Sequence, residues 1–218
     1  SILRGFILPK FFLENCGAYL AAIRSIGRTE EYFYMPVFES AAMIPPQTRR
    51  EALTEVRAQL DTVSGSILNI RVGGNDLSHA FGLRRPANRT IYDLRPVADI
   101  LIDIVAAFGT QYVVSGPVWE YYSGEGWEEG LRREMELDLL NGFTGKTVIH
   151  PNQIPVVNEM LRVSQQDYAD ARAILNWDTG SGSLVSASED GGRMNEYNTH
   201  SRWARRIVLR AERYGVRA

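Results

Sequence analysis

The chain has 218 residues, of which 44% are hydrophobic and 23% charged, a globular composition that excludes a disordered tail. The formal net charge is −2 with acidic and basic residues interspersed, which excludes a long-range field attracting nucleic acid or a membrane surface. Cys16 is the single cysteine, which excludes an internal disulfide framework and a multi-cysteine zinc site.

Short strand patterns alternate with helical patterns along most of the chain. Apolar or alternating runs that end in polar residues predict strands at residues 3–9, 32–38, 66–72, 111–115 and 147–149. Helical spacing of apolar residues predicts helices at residues 15–26, 48–60, 94–108 and 127–141. The clearest helix is the stripe from Leu94 to Phe108, because Gly109 follows it as a C-terminal signal. The order corresponds to five βα units.

This alternation predicts an α/β fold with a parallel sheet, either open and doubly wound or closed into a barrel. No G-x-G-x-x-G or G-x-x-x-x-G-K-[ST] motif follows a predicted strand, so the nucleotide-binding open sheets lack support. We therefore favour a (β/α)8 TIM barrel. Chemistry in such barrels lies at the carboxyl ends of the strands. In this chain those ends hold the following residues: Lys10, Glu39, Asp76, Ser115 and His150.

After Asn158 the sequence pattern changes. Residues 164–177 and 201–214 have helical patterns, and the second helix is basic. The Gly/Ser-rich stretch at residues 178–192 separates them and predicts a flexible link. We therefore predict a barrel domain at residues 1–163 and a C-terminal helical arm at residues 164–218. No apolar run approaches the roughly 20 residues that cross a bilayer, and the lone cysteine favours the cytoplasm.

Two acidic residues suggest a metal site. Glu39 and Asp76 stand just past two successive predicted strands, so their carboxylates can converge on one hard cation. A magnesium ion there would act as a Lewis acid on a keto acid or carboxylate, stabilising negative charge on oxygen as a carbon–carbon bond breaks. From spacing alone, two solvated loop acids are the competing interpretation.

The motifs FILPKF, VFES, VGGNDL, GFTGKTVIHPNQI and EDGGRMNEYNTHSRWARRIVLRA, in this order, resemble the citrate lyase beta subunit family within the HpcH/HpaI-type aldolases. The resemblance extends over nearly the whole chain, and G-x-x-G-K-x-x-I-H-P-x-Q-I is its most specific part. It implies a (β/α)8 barrel that cleaves or forms a carbon–carbon bond beside a carboxylate or thioester with magnesium. Aligned on the family, this sequence begins at the fourth barrel strand. We therefore expect it to be part of a longer protein.

The resemblance also assigns roles. It implies that Glu39 and Asp76 bind Mg²⁺, with Asn75 in place of the family's usual glutamate. Family members acting on coenzyme A thioesters have G-x-M-x-D in the arm, where the aspartate serves a neighbouring subunit as acid or base. This chain has Glu196 at that position, and Ser115-Gly116 where an aspartate is common. A homo-oligomer, a trimer or related assembly, is thus expected, while the thioester substrate is placed in doubt.

Each of the other candidate site residues has two interpretations. His150 would line the site, or it is a histidine whose ring bonds backbone at a strand end. Lys10 could contact substrate or, in an aldolase barrel, form a Schiff base, although the metal pair makes that chemistry unnecessary. Three arginines that follow Asp76 would grip a phosphate or second carboxylate, or they form a solvated basic loop; these are Arg84, Arg85 and Arg89.

Two functions follow from these residues. The first is a magnesium-dependent lyase or aldolase that cleaves a small anionic hydroxy acid or hydroxyacyl thioester to a keto acid and an enolate-derived product. The second is a catalytically altered barrel that binds an anionic ligand or serves as a regulatory subunit. The substitutions at Asn75, Ser115 and Glu196 allow the second function.

Overall fold

The computed structural model describes residues 2–26, 32–177 and 185–217. They form two compact units, Ser1–Val156 and Val157–Ala218. Within the described residues, none of the helices combines the length and apolar character needed to cross a membrane.

The first unit is built on a five-stranded parallel sheet. Its strands are β1 (Gly5–Leu8), β2 (Phe33–Phe38), β3 (Ile70–Val72), β4 (Val114–Gly116) and β5 (Gly145–Lys146). Their order in the sheet is their order in the chain. A doubly wound sheet reverses its strand order at a switch point, and this sheet does not, so the strands follow one another as consecutive barrel strands do.

Helices connect these strands. They are α1 (Leu13–Ser25), α2 (Pro46–Asp61), α3 (Gly74–Ala80), α4 (Arg95–Phe108), α5 (Trp127–Leu140) and α6 (Gln153–Met160), the last of which extends into the second unit. Helix α4 confirms the clearest prediction, because Val97, Leu101 and Ile104 of its apolar stripe are completely buried. The sequence patterns did not predict α3 and α6. Both follow glycine- or proline-containing segments and are short, so they show little apolar periodicity.

The core of the first unit lies where the sheet meets these helices. Phe38 at the end of β2 is fully buried, and its ring centroid lies 5.0 Å from that of Phe108 at the end of α4. Helix α2 contributes Leu53, Val56 and Leu60 to the same cluster. This packing fixes the strand ends, and the residues that follow them inherit defined positions.

Three of the predicted strands differ most from the observed ones. The strand predicted at 111–115 is β4, which begins only at Val114 because the Gln111 and Tyr112 amides donate to the Phe108 carbonyl and continue the helix end. The strand predicted at 66–72 starts at Ile70. The strand predicted at 147–149 is wrong: the ladder with β4 ends where the Thr147 amide donates to the Gly116 carbonyl, and Ile149 is half exposed.

The second unit contains two helices and two small sheets. Its elements are β6 (Val163–Ser164), α7 (Gln165–Leu175), β7 (Val185–Ala187), β8 (Met194–Glu196), α8 (Tyr197–Tyr214) and β9 (Val216–Arg217). Helices α7 and α8 pack on each other around Ala171, Ile174 and Ala204. The predicted basic helix thus begins earlier, at Tyr197.

The link predicted at 178–192 is only partly described, because residues 178–184 lie outside the described part of the chain. The rest of it forms paired structure, which the sequence patterns did not predict. Strand β7 pairs antiparallel with β8, and Arg193 in the turn between them contacts Asp170 of α7 through its Nε at 2.6 Å. These contacts give residues 185–192 a defined hairpin conformation.

Candidate active site

The two predicted metal-binding carboxylates lie at the ends of neighbouring strands. Glu39 directly follows β2, and Asp76 lies in the first turn of α3, which begins two residues after β3 ends. The register pairs Phe38 with Val72, so the two strands end side by side. The carboxyl end of the sheet therefore presents both side chains at one edge, as the sequence predicted.

Lys10 joins these carboxylates. Its backbone N–H donates to Glu39 Oε1 at 3.0 Å, and its Nζ lies 3.0 Å from Asp76 Oδ1. Lys10 has a positive φ of 50°, a conformation that non-glycine residues seldom adopt and that marks functional or tightly constrained turns. The turn after β1 thus brings three of the predicted residues together from three successive strand ends.

The Lys10 ammonium is held in its charged form. The hydrogen bond and charge of Asp76 raise the pKa of Lys10, with a further contribution from Glu39. Schiff-base chemistry needs a neutral amine, which such a shift disfavours. The geometry favours Lys10 as a cationic partner of the two carboxylates.

Gly73 explains how Glu39 fits at this edge. A Cβ atom added to Gly73 would lie 2.2 Å from Glu39 Oε2 and 2.4 Å from Glu39 Cβ. Glycine is therefore required here for space, so that the Glu39 side chain can lie against the backbone between β3 and α3. This contact confines the carboxylate to the strand-end edge.

The donor set fits a hard divalent cation. Mg²⁺ is bound in proteins through one or two carboxylates, and it keeps its remaining positions for waters and substrate oxygens. Glu39 and Asp76 supply two carboxylates, and the described residues contain no group of three or more His, Cys, Asp and Glu side chains that could enclose a metal. The Lys10 ammonium pairs with Asp76 and the Lys10 backbone N–H bonds to Glu39, so both carboxylates already interact with positively polarised groups at this edge.

A polar cavity of about 340 Å³ adjoins α3. Its lining residues are Asn75, Ser78, His79, Gly82, Leu83, Arg84 and Glu120. The Oδ1 atom of Asn75 is buried, and no hydrogen-bond partner for it exists among the described residues. A buried polar atom without a partner is uncommon, and this one belongs to a residue that lines the cavity.

The three predicted anion-gripping arginines have different environments. Arg84 is exposed, and its Nε lies 2.9 Å from Glu120 Oε2. Arg89 is also exposed and lies 3.7 Å from Asp93 Oδ1. The structure thus leaves both of them at the surface, each beside one carboxylate.

The prediction that Arg85 grips an anion is corrected, because its side chain is buried and cannot contact a ligand from solution. Its side chain is fully buried, with Nε 2.9 Å from Glu134 Oε2 and the guanidinium 5.2 Å from the centre of the Trp119 ring. It also donates to the Val118 carbonyl. Arg85 is an interior residue because a buried carboxylate on α5 neutralises it.

His150 lies beyond the strand rather than at its end. Its ring stacks on Tyr122 with centroids 4.3 Å apart, and its Nδ1 accepts from the Asn152 amide at 3.2 Å. Gln153, three residues later, is buried and donates to the carbonyls of Trp119 and Tyr121. The His-Pro-Asn-Gln segment therefore holds the loop that follows β4, which supports the interpretation of His150 as locally satisfied.

A buried ionic network, which the sequence patterns did not predict, lies beside β5. Lys146 Nζ lies 2.7 Å from Glu134 Oε1 and 2.8 Å from Asp138 Oδ2, and Tyr92 donates to Asp138 Oδ1 at 2.8 Å. With Arg85, the network has two cations and two anions. All four side chains are essentially inaccessible to solvent.

Burial and charge act against each other in this network. Burial raises the pKa of Asp138, with Lys146 opposing the rise. Burial acts to lower the pKa of Lys146, but the charges and hydrogen bonds of Asp138 and Glu134 together raise it. Lys146 is therefore held as a cation. Burial, together with the charge and hydrogen bond of Asp138, raises the pKa of Tyr92, which keeps its hydroxyl protonated as a donor.

Glu196 lies in the second unit, where it ends β8 and precedes α8. Its backbone N–H donates to His200 Nδ1 at 3.0 Å. The side chain is partly exposed. Its assignment as the acid or base in a shared active site stays a prediction.

Two comparisons relate the sequence to known proteins. A family model described as a C–C bond lyase of the TIM-barrel fold matches residues 1–216. A curated relative, L-malyl-CoA/beta-methylmalyl-CoA lyase from Cereibacter sphaeroides, is 38% identical over 74 residues, which are 33% of this chain and 22% of that protein. The match thus covers only a small part of that relative.

Solved structures show the same fold. A citrate lyase from Burkholderia xenovorans LB400 superposes with a TM-score of 0.69 at 15% identity, over 99% of this chain and 65% of that chain. CitE from Mycobacterium tuberculosis, in complex with magnesium, acetoacetate and coenzyme A, gives 0.60 at 20% identity, over 94% and 77%. RipC from Yersinia pestis gives 0.54 at 18% identity, over 73% and 64%. The predicted (β/α)8 fold and the citrate lyase beta subunit resemblance are confirmed.

Proposed function

Since this chain belongs to the C–C bond lyase family of the TIM-barrel fold, we propose that it is a magnesium-dependent lyase or aldolase. It would cleave an anionic hydroxy acid or hydroxyacyl thioester into a keto acid and an enolate-derived product. The observation that supports this proposal is the arrangement of Glu39 and Asp76 at adjacent strand ends around Lys10. The cytoplasm is the proposed compartment, consistent with Cys16 as a free, buried thiol.

The residues at this edge have separable tasks. Glu39 and Asp76 would hold Mg²⁺, which when bound supplies Lewis-acid stabilisation of negative charge on substrate oxygen. Gly73 leaves room for the Glu39 side chain. Lys10 supplies a second positive charge beside Asp76, where it can attract an anionic substrate or neutralise charge during bond cleavage.

The substrate class rests on the relatives. The curated relative is named as a lyase of coenzyme A thioesters, and the CitE structure contains acetoacetate and coenzyme A with magnesium. A coenzyme A thioester is therefore one proposed substrate for this chain, and a free hydroxy acid is the other. Glu196 would serve as the proton donor or acceptor, because its carboxylate can perform the chemistry of the family's aspartate with one more methylene.

The test is a substrate panel assayed with and without Mg²⁺. Citrate, malate, malyl-CoA and related hydroxyacyl thioesters are incubated with the protein, and released keto acid or acyl product is measured by mass spectrometry. We expect at least one substrate to be cleaved only when Mg²⁺ is present. Cleavage that persists unchanged in a chelator would contradict metal dependence, and no cleavage of any panel member would favour a binding role.

A second function is supported by one observation. Lys10 Nζ already pairs with Asp76 Oδ1 at 3.0 Å, so a metal would have to displace this ammonium, whereas an edge that only binds an anionic ligand needs no metal. Such a barrel would be an anionic-ligand-binding or regulatory subunit. It would shift its melting temperature with a panel member and release no product.

The arm is proposed to act between subunits of a homo-oligomer, a trimer or related assembly. We expect two inactive variants, Glu39→Gln and Glu196→Gln, to regain part of the activity after mixing, because some mixed sites would contain both native carboxylates. The measurement is turnover after subunit exchange has been confirmed by mass spectrometry. Each variant mixed with itself is the control. If exchange occurs and activity stays absent, Glu196 does not act between subunits.

A further inference from the structure

We infer that the polar cavity beside α3 is an oxyanion subsite, with Arg84 as the residue that recognises a carboxylate or phosphate group of the ligand. The cavity adjoins the helix that supplies Asp76, and its lining residue Asn75 precedes that proposed metal-binding residue in the chain. The inference that this subsite binds part of a lyase substrate rests on the proposed function. The inference that it binds an oxyanion does not rest on that function.

The first observation is the orientation of the Arg84 guanidinium. Glu120 contacts it through Nε at 2.9 Å, and no other described side chain is hydrogen-bonded or ion-paired with it. Glu120 is only 13% exposed, whereas Arg84 is 78% exposed. A fixed carboxylate therefore anchors one side of the guanidinium, while the two terminal nitrogens remain available as a fork that matches two oxygens of an anion.

The second observation is the charge balance behind this fork. Glu120 Oε1 also lies 3.9 Å from Arg85 Nη1, a group that is fully buried. Arg85 in turn pairs with Glu134 in the interior. Glu120 thus interacts with two arginines, so its negative charge neutralises Arg84 only in part.

The third observation is the polar character of the other residues that line the cavity, which include Asn75. Its Oδ1 is buried without a partner among the described residues. His79 lines the wall one turn further along α3. The lining therefore offers the charged Arg84 fork with one carboxylate, Glu120, behind it, together with the polar side chains of Asn75 and His79.

The experiment measures binding of inorganic phosphate and of succinate by calorimetry in the absence of Mg²⁺. We compare the native protein with Arg84→Gln, Arg84→Lys and the matched control Arg95→Gln. Arg95 is an exposed arginine whose Nε pairs with Asp99 Oδ1 at 3.0 Å, so it has the same local pairing away from the cavity lining. Circular dichroism melting confirms that each variant is folded.

We expect Arg84→Gln to weaken binding of the preferred anion by about tenfold or more, the value of a lost charge-assisted contact. The affinity of Arg84→Lys should lie between those of the native protein and Arg84→Gln, because lysine keeps the charge and loses the fork. Arg95→Gln should bind as the native protein does. Tighter binding of phosphate or of succinate identifies the group that the subsite takes.

The inference is overturned if neither anion binds, or if Arg84→Gln binds as the native protein does, or if Arg95→Gln loses as much affinity. A Glu39→Gln variant separates this inference from the proposed function. It should keep anion binding even though it loses lyase activity. Anion binding by a protein that cleaves no panel member would leave the subsite in place and reject only the lyase.

Discussion

Replacing Glu39 with glutamine, or Asp76 with asparagine, is expected to lower turnover on a cleaved substrate by roughly a hundredfold or more. The reason is that Lewis-acid stabilisation of developing charge contributes several kcal/mol, and each ~1.4 kcal/mol is a factor of ten. Calorimetry of Mg²⁺ binding should show a matching loss of affinity. Both quantities should fall together if these two carboxylates hold the ion.

The same substitutions should leave the fold intact. A glutamine at position 39 retains an oxygen that can accept the Lys10 amide, and an asparagine at position 76 retains one for Lys10 Nζ. The melting temperature should therefore change little. The control is Glu51→Gln, which removes an exposed carboxylate from α2 and should alter neither Mg²⁺ binding nor turnover. Native Mg²⁺ affinity in both site variants would show that the metal site lies elsewhere.

The strand ends could be predicted from sequence because parallel strands share one edge. Glu39 and Asp76 each follow an apolar run by a few residues, and the sheet keeps the chain order of its strands. Residues at those positions must therefore come together whatever the details of the loops. The contact of Lys10 with both carboxylates could not be predicted, because it depends on the positive φ of one residue in a turn.

The exact strand limits could not be predicted for a different reason. An apolar triplet such as Thr147–Val148–Ile149 matches a strand pattern, yet pairing with β4 ends at Thr147. Likewise, the amides that follow α4 bond back to the end of that helix, so β4 begins only at Val114. Hydrogen-bond partners across the fold, and not local apolarity, decide these limits.

The sequence contains one signal of the buried network, in the spacing of two acidic residues on α5. Glu134 and Asp138 lie four residues apart on α5, and Leu131 and Met135 occupy the same buried face. Two acids inside an apolar stripe predict a buried ionic partner, because isolated charges are costly to bury. That partner could not be named from sequence, since Arg85 is separated from Glu134 by 49 positions. For the same reason the environments of Arg84 and Arg85 could not be told apart.

Removing one cation from the buried ionic network beside β5 is expected to lower the stability of the protein strongly. Lys146→Met would leave the Glu134 and Asp138 carboxylates with Arg85 as the remaining buried positive charge. Breaking a buried ion pair from one side typically costs about 3–5 kcal/mol, because the partner charge stays buried without compensation. We therefore expect a loss of that size in the free energy of unfolding by urea. The control Arg95→Met removes an exposed pair and should cost about 1 kcal/mol or less.

A double variant tests whether charge balance is the cause. Lys146→Met combined with Asp138→Asn removes one charge of each sign, so the remaining network is again neutral. The double variant should be less destabilised than the sum of the two single variants, with a coupling of roughly 0.5–3 kcal/mol. Strict additivity of the two losses would show that Lys146 and Asp138 act through packing and not through their charges.

The pH dependence of Lys146→Met gives an independent check. Burial already raises the pKa of Asp138, and removal of the opposing ammonium would raise it further. The folded variant then binds more protons than the unfolded chain above the ordinary carboxyl pKa, so its stability falls as pH rises through that range. Urea unfolding at pH 5 and at pH 8 should show a larger deficit, relative to the native protein, at pH 8. A deficit that is equal at both values would mean that the pKa of Asp138 does not depend on the Lys146 ammonium.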